Sequence, residues 1–141
     1  MAITKIFLFC VKEESLQRRH PWIFSGAIYN IENADSIAEG DIVDLYSAKG
    51  DFLARGHYQI GSIAVRVLTF EREEIDAEWW HRRIASAYDV RRTLNLTDNP
   101  QTTCYRLIHG EGDLLPGLVV DIYGTTAVVQ CRSVGMYLSR N

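Results

Sequence analysis

The sequence predicts a mainly β protein with added α: a small strand barrel or pseudo-barrel, a connecting helix, and an incomplete β-hairpin unit of an α+β domain. Three observations predict it. Glycines punctuate the chain as far as Gly61 and again from Gly110, with none between. Apolar runs of strand length fill both glycine-rich parts. The glycine-free middle carries its apolar residues at helical spacing.

Taken in order, Ile6–Val11 reads as a buried strand. Asp41–Tyr46, Asp51–Tyr58 and Ser62–Phe70 read as further strands. In the last of these Ile63, Val65 and Val67 alternate with Ala64 and Arg66, the period-2 pattern of a half-buried strand. The loop Ser47-Ala48-Lys49-Gly50 suits a hairpin between two of the strands. Strands at such short spacing favour a barrel over a layered α/β sheet. A helix is predicted from Asp76 to about Leu94, with Asp76 as N-cap. Ile75, Trp79, Trp80, Ile84, Ala87 and Tyr88 form its apolar stripe, and Arg82, Arg83, Arg91 and Arg92 lie largely off it. Asn95–Pro100 reads as a loop. Tyr105–Ile108 begins a second β unit and leads into the turn His109-Gly110-Glu111-Gly112-Asp113. Leu118–Tyr123 and Thr126–Cys131 then pair across Gly124-Thr125, a two-residue loop of type II′ pattern. An isolated hairpin is marginal in water, so this unit reads as incomplete.

Composition limits the function classes. The chain has 141 residues, 15 Lys+Arg and 18 Asp+Glu, for a net charge of −3. That balance argues against binding nucleic acid through a generally basic surface and leaves room for a local basic patch. The three cysteines, Cys10, Cys104 and Cys131, are widely spaced and form no C-x-x-C, so a zinc ribbon or a thioredoxin-like pair is not encoded. The early apolar run is short and meets Lys12-Glu13-Glu14, unlike a signal peptide. No run approaches the roughly 20 apolar residues of a membrane span. A cytoplasmic protein with no membrane partner is expected.

The most unusual cluster is Arg18-Arg19-His20-Pro21-Trp22-Ile23-Phe24-Ser25-Gly26. Aromatic rings beside arginines can stack on unpaired RNA bases while the guanidinium groups hold phosphate. Trp22 and Phe24 can equally be core residues, and both readings stand at this stage. The basic residues are 12 Arg and 3 Lys, and Arg offers the planar fork that suits phosphate. Arg55 and Arg66 sit in predicted strands, where ion pairs with the acidic residues explain them as well. The Gly110-Glu111-Gly112 turn is followed by Leu115-Pro116-Gly117 and a strand, whereas a phosphate-cradling loop needs a helix after it. Glu111 and Asp113 lack the ligand spacing of a calcium loop. The histidines at 20, 57, 81 and 109 show no metal-hydrolase pattern. Cys104 and His109, five apart on a strand, point to opposite faces and make no nucleophilic pair. Spacing alone identifies no catalytic, cofactor or metal residues.

Three stretches together carry a resemblance. They are His20–Ile28 (HPWIFSGAI), then Gly56-His57-Tyr58 with Ser62–Arg66 (SIAVR), then Tyr105–Asp121 (YRLIHGEGDLLPGLVVD). In this order and at these distances the chain resembles the bacterial large-subunit ribosomal RNA methyltransferases that begin with a PUA domain. Members form 5-methylcytosine from S-adenosylmethionine. The resemblance implies a PUA-like RNA-binding domain over residues 1–72, a connecting helix and loop over 73–98, and the first part of a β-β-α-β-β middle domain over 99–141. The helix of that middle domain would begin near Gly135. The methyltransferase domain would lie outside this chain.

The resemblance implies large-subunit rRNA as partner, with no DNA, and leaves a homodimer open. Candidate RNA contacts are Arg18, Arg19, His20, Trp22, Phe24, Arg55, His57 and Arg66. S-adenosylmethionine is implied for the missing C-terminal domain and no cofactor for this chain. Methylation at cytosine carbon-5 needs a thiolate on carbon-6, a base for the carbon-5 proton, and a target base out of its stack. Those groups belong to the family's C-terminal domain and are not transferred to Cys10, Cys104 or Cys131. The full-length protein is therefore expected to be an rRNA-processing methyltransferase, and this chain, a truncated part of it, to be inactive alone. Two rival expectations remain: a stand-alone PUA-type module, and an interaction protein pairing through the exposed hairpin Leu118–Cys131.

Overall fold

A computed structural model describes residues 2–141. The chain forms two compact units. One holds the chain up to Glu73 together with Ser133–Asn141, and the other holds Glu74–Arg132.

The first unit contains strand β1 (Thr4–Leu8), a one-turn helix α1 (Glu14–Gln17), and strands β2 (Trp22–Phe24), β3 (Ile28–Ile31), β4 (Ile42–Tyr46), β5 (Phe52–Tyr58) and β6 (Ile63–Thr69). They make one curled sheet in the order β2-β6-β5-β4-β1-β3. The β1–β4 pair is parallel and the other pairs are antiparallel. Alternation decides the faces. Ile6, Leu8, Ile23, Val43, Leu45, Ala54, Val65 and Val67 are buried together and form the core. Their neighbours in the strands lie on the outer face.

The strands expected over residues 41–70 are present as β4, β5 and β6. The hairpin loop between the first two closes with Ser47 N donating to Asp51 O and Gly50 at φ +92°. The strand expected at Ile6–Val11 starts earlier and stops at Leu8, because Cys10–Lys12 coil into a 3-10 turn. Phe9 and Val11 are consequently exposed rather than core. Strands β2 and β3 were not legible in the sequence; at three and four residues they are too short to show a period. At Gly56 the backbones of β5 and β6 approach so closely that a Cβ would lie 2.1 Å from the Arg66 carbonyl oxygen. The pairing shifts register at this point, and glycine is what the approach requires.

The second unit contains helix α2 (Ala77–Thr93) and strands β7 (Cys104–His109), β8 (Leu118–Tyr123) and β9 (Thr126–Cys131). Asp76 caps the helix as expected, its Oδ1 accepting from Trp79 N at 2.8 Å. The buried stripe is narrower than the sequence suggested: Trp79 and Ala87 are buried, whereas Ile84 and Tyr88 are exposed. The sheet order is β7-β8-β9, all antiparallel. Tyr123 pairs with Thr126 across the expected two-residue loop, where Gly124 takes φ +60°. β9 is one of the two edge strands and is exposed from Thr126 to Gln130.

Helix α3 (Val134–Leu138) follows, capped by Ser133, whose Oγ accepts from Met136 N. This five-residue helix lies near Gly135, where the resemblance placed one, and packs within the first unit.

Candidate nucleic-acid interface

Strand register sets the geometry of the candidate residues. Trp22 of β2 stands opposite Arg66 of β6, and Arg66 stands opposite His57 of β5. Direct cross-strand partners share a face. Trp22, Arg66 and His57 therefore form one row across the outer face, while Ile23 and Val65 form the matching row in the core.

One end of this row is open. The Trp22 ring is half-buried and meets His20 edge-on at 5.9 Å and Phe24 edge-on at 6.5 Å. Trp22 N donates to His20 Nδ1 at 3.1 Å, which fixes the imidazole beside the strand. Phe24 is 51% exposed. The tertiary structure thus brings His20, Trp22, Phe24 and Arg66 together, with an aromatic surface next to a guanidinium. Arg66 Nη1 donates to Gln59 Oε1 at 3.3 Å.

Arg18 and Arg19 lie on the turn between α1 and β2. Arg18 is exposed, and its ion pair with Glu14, at 3.7 Å, is of the solvated i,i+4 kind that holds a side chain weakly. Arg19 adopts a left-handed backbone (φ +56°) that places its guanidinium 5.3 Å from the Phe70 ring centre. A groove of about 410 Å³ beside Phe24 is lined by Lys12, Ser15, Arg18 and Gly26, with Glu14 as its acid. Aromatic surface, arginines and an open groove are what a contact to an unpaired nucleotide requires.

Two of the expected contacts lie elsewhere. Arg55 is 7% exposed, and both arms of its guanidinium are engaged. Its Nε and Nη2 grip the carboxylate of its cross-strand partner Asp44 at 2.6 and 3.0 Å, and its Nη1 donates to the Glu73 carbonyl. A guanidinium held in this way ties the sheet together and presents no donor to a surface ligand. His57 is 2% exposed. Helix α3 lies over it: a Cβ on Gly135 would be 2.2 Å from His57 Cγ, and Ser139 Oγ is 3.4 Å from Nε2. Burial, reinforced by the Arg66 charge, pushes the imidazole pKa from 6.5 down to about 4. Both residues were expected among the RNA contacts; in the structure they are buried, because the outer face of β5 is covered rather than open.

Gly135 and Ser139 were missed as neighbours of His57. They follow it by more than 70 positions, and no local pattern signals the contact. Asp44 was missed as the partner of Arg55, although the hairpin register places them opposite each other.

The conspicuous motif of the second unit serves its own turn. Asp113 accepts from His109 N at 2.6 Å and from both terminal nitrogens of Arg91, with Nη2 at 2.8 Å. Arg106 grips Asp121 through two hydrogen bonds, which hold the Asp121 carboxyl below the usual carboxylate range. Among the described residues no group of three or more His, Cys, Asp or Glu side chains is placed to hold a metal ion. Among them, too, no helix is long and apolar enough to cross a membrane.

Residues 9–70 match the family model of the PUA-like domain. The matched residues lie within the first unit. Across most of its length the chain is also similar to proteins named ribosomal RNA large subunit methyltransferase I. It is 41% identical to that of Photobacterium profundum over 134 residues, which is 94% of this chain and 33% of the relative. It is 40% identical to the Alteromonas mediterranea protein over 126 residues, 88% of this chain and 31% of the relative. With the Citrobacter koseri protein it shares 41% identity over 131 residues, 92% of this chain and 32% of the relative. The chain therefore spans about a third of the length of the curated relatives it matches. Among solved structures, two chains superpose on it with a TM-score of 0.79 at 20% identity, over 99% of this chain and 35% of theirs. One was solved in complex with SAH, and the other comes from Streptococcus mutans. At that identity the likeness concerns the fold.

Proposed function

We propose that this chain is the N-terminal, RNA-recognising region of an S-adenosylmethionine-dependent rRNA methyltransferase that forms 5-methylcytosine in the cytoplasm. Its PUA-like domain holds large-subunit rRNA while a part of the protein outside this chain transfers the methyl group. The observation that carries this reading is 41% identity over 94% of the chain to a protein named for methylating large-subunit rRNA. The open cluster of His20, Trp22, Phe24 and Arg66, with Arg18 and Arg19 beside it, supplies the matching chemistry. The rings stack on unpaired bases, and the guanidinium groups meet phosphate.

The methyl donor does not fit the residues present. Gly110-Glu111-Gly112 is a 3-10 turn leading toward a strand, and the Asp113 carboxylate beside it is occupied by Arg91 and the His109 backbone. The pattern is that of a closed turn, not of a donor cradle. No catalytic step is assigned to this chain, which is inactive alone.

The test is binding of a large-subunit rRNA fragment by the Arg18→Ala/Arg19→Ala double variant at several salt concentrations. Affinity falls, and the slope of log affinity against log salt shrinks by about 1.4 if two single-strand phosphate contacts are lost. Unchanged affinity and slope would remove these arginines from the interface.

A further inference from the structure

The outer face of the same sheet carries five aromatic rings in succession. Phe7 of β1 stands in register with Tyr46 of β4, and Tyr46 with Phe52 of β5. Their ring centres are 5.6 and 5.9 Å apart. The series continues the other way through Tyr29 of β3, 6.2 Å from Phe7, to Phe9, 5.6 Å from Tyr29. It thus crosses β5, β4, β1 and β3, which lie in that order from the middle of the sheet to the edge opposite β2.

The exposure is graded along this series. Tyr46 is buried beneath its neighbours, whereas Phe9 is 48% and Tyr29 47% exposed. Two cations stand at the buried ring. Lys5 Nζ is 5.7 Å and the Arg72 guanidinium 5.8 Å from the Tyr46 centre, and Arg72 is also 4.5 Å from the Phe52 centre. Arg72 Nη1 donates to the Tyr46 hydroxyl at 3.3 Å. Among the described residues neither cation forms an ion pair with a carboxylate.

Core demand does not explain this arrangement. The core of the sheet is filled from the other face by Ile6, Leu8, Val43 and Leu45. Lys5 and Arg72 are both exposed and can meet an anion, while Asp44, in register with Lys5, is taken up by Arg55. Half-exposed rings next to them offer π-faces. Anions at regular intervals alternating with flat apolar groups are the signature of single-stranded nucleic acid.

We propose that this aromatic stripe is a second RNA contact surface, distinct from the β2 cluster, on which unpaired bases stack against Phe9 and Tyr29 while their phosphates meet Lys5 and Arg72. It rests on the proposed function only in taking RNA as the ligand. The stripe adjoins the first surface, because Phe9 N donates to the Ala27 carbonyl at 2.9 Å and Ala27 lines the groove beside Phe24; one RNA can engage both, and each makes the other's contact intramolecular.

The experiment uses fluorescein-labelled dodecauridylate as probe and fluorescence anisotropy as readout. Phe9→Leu/Tyr29→Leu keeps apolar bulk and removes the π-faces, so affinity drops about tenfold or more. Phe9→Tyr/Tyr29→Phe keeps the faces and retains affinity. Lys5→Gln/Arg72→Gln lowers the salt slope by about 1.4, the value for two single-strand phosphates. Circular dichroism melts of the variants establish that each is folded. Wild-type affinity in the leucine variant overturns the inference, and a concentration-dependent increase in mass that the wild type shows and the leucine variant loses, with no RNA affinity in the wild type, would assign the stripe to a second copy of the chain instead. If the leucine variant binds the probe normally while Arg18→Ala/Arg19→Ala loses the rRNA fragment, the stripe fails and the proposed function stands. Failure of the wild type to bind either RNA overturns both.

Discussion

Replacing Arg55 by Ala separates a stabilising role from an RNA-binding one. The substitution leaves the Asp44 carboxylate, 4% exposed, without the two hydrogen bonds that now neutralise it. It also removes the donor that satisfies the Glu73 carbonyl. Removing one partner of a buried ion pair costs about 3–5 kcal/mol. Against a whole-domain stability of about 5–15 kcal/mol, that is a large fraction. With a urea dependence near ~2 kcal/mol per molar, the unfolding midpoint falls by roughly 1.5–2.5 M. Far-UV circular dichroism in urea measures it. The double replacement Arg55→Met/Asp44→Leu removes both charges and recovers most of the loss, because two apolar side chains need no compensation. The second assay is rRNA-fragment binding at a temperature where Arg55→Ala is still folded; affinity stays within about twofold of wild type. A midpoint within about 0.3 M of wild type, accompanied by weakened RNA binding, would refute the reasoning and return Arg55 to the interface.

Two further outcomes follow from the seat of α3. His57 is neutral in the folded state because its pKa is pushed from 6.5 to about 4. The stabilisation is therefore fully present above about pH 6.5 and is lost as pH falls toward 4, and the gap between the two values corresponds to ~3 kcal/mol. Urea midpoints at pH 7 and pH 4.5 measure this; His57→Gln flattens the difference, and an identical pH slope in wild type and variant would assign the acid sensitivity to other groups. In Gly135→Ala the new Cβ meets the His57 ring, with Cγ 2.2 Å away, so α3 shifts outward at a cost of about 1–3 kcal/mol. Amide exchange over residues 134–138 accelerates and the His57 titration, followed by NMR, moves back toward 6.5; an unshifted titration would show that α3 is not what buries the ring.

Several elements were legible because their cause is local. Helix α2 follows from an acidic N-cap and a glycine-free run of helical spacing, and Asp76 caps Trp79 N as that pattern implies. Strands β4 to β6 follow from alternation, and their hairpin loop from Gly50. The turn at Gly124 follows from a residue type that reaches positive φ without strain. Strands β2 and β3 escaped notice because three or four residues do not display a period; what makes them strands is pairing with β6 and β1.

The sequence by itself supplied the candidate RNA contacts and, for Arg66, the face on which its strand would place it. Alternation assigned Arg66 to the face opposite Val65 and Val67, and that is where it lies. Only the tertiary structure decided which of those residues are open. Arg55 and His57 lie on the outer face of β5, and both are buried there. Asp44 reaches Arg55 from the neighbouring strand, and Ser139 reaches His57 from 82 residues away in the chain. The aromatic stripe was hidden for the same reason: Phe7, Tyr29, Tyr46 and Phe52 belong to four strands and become neighbours only through register. Periodicity encodes which side of a strand a residue occupies, whereas exposure depends on what else the folded chain lays over that side.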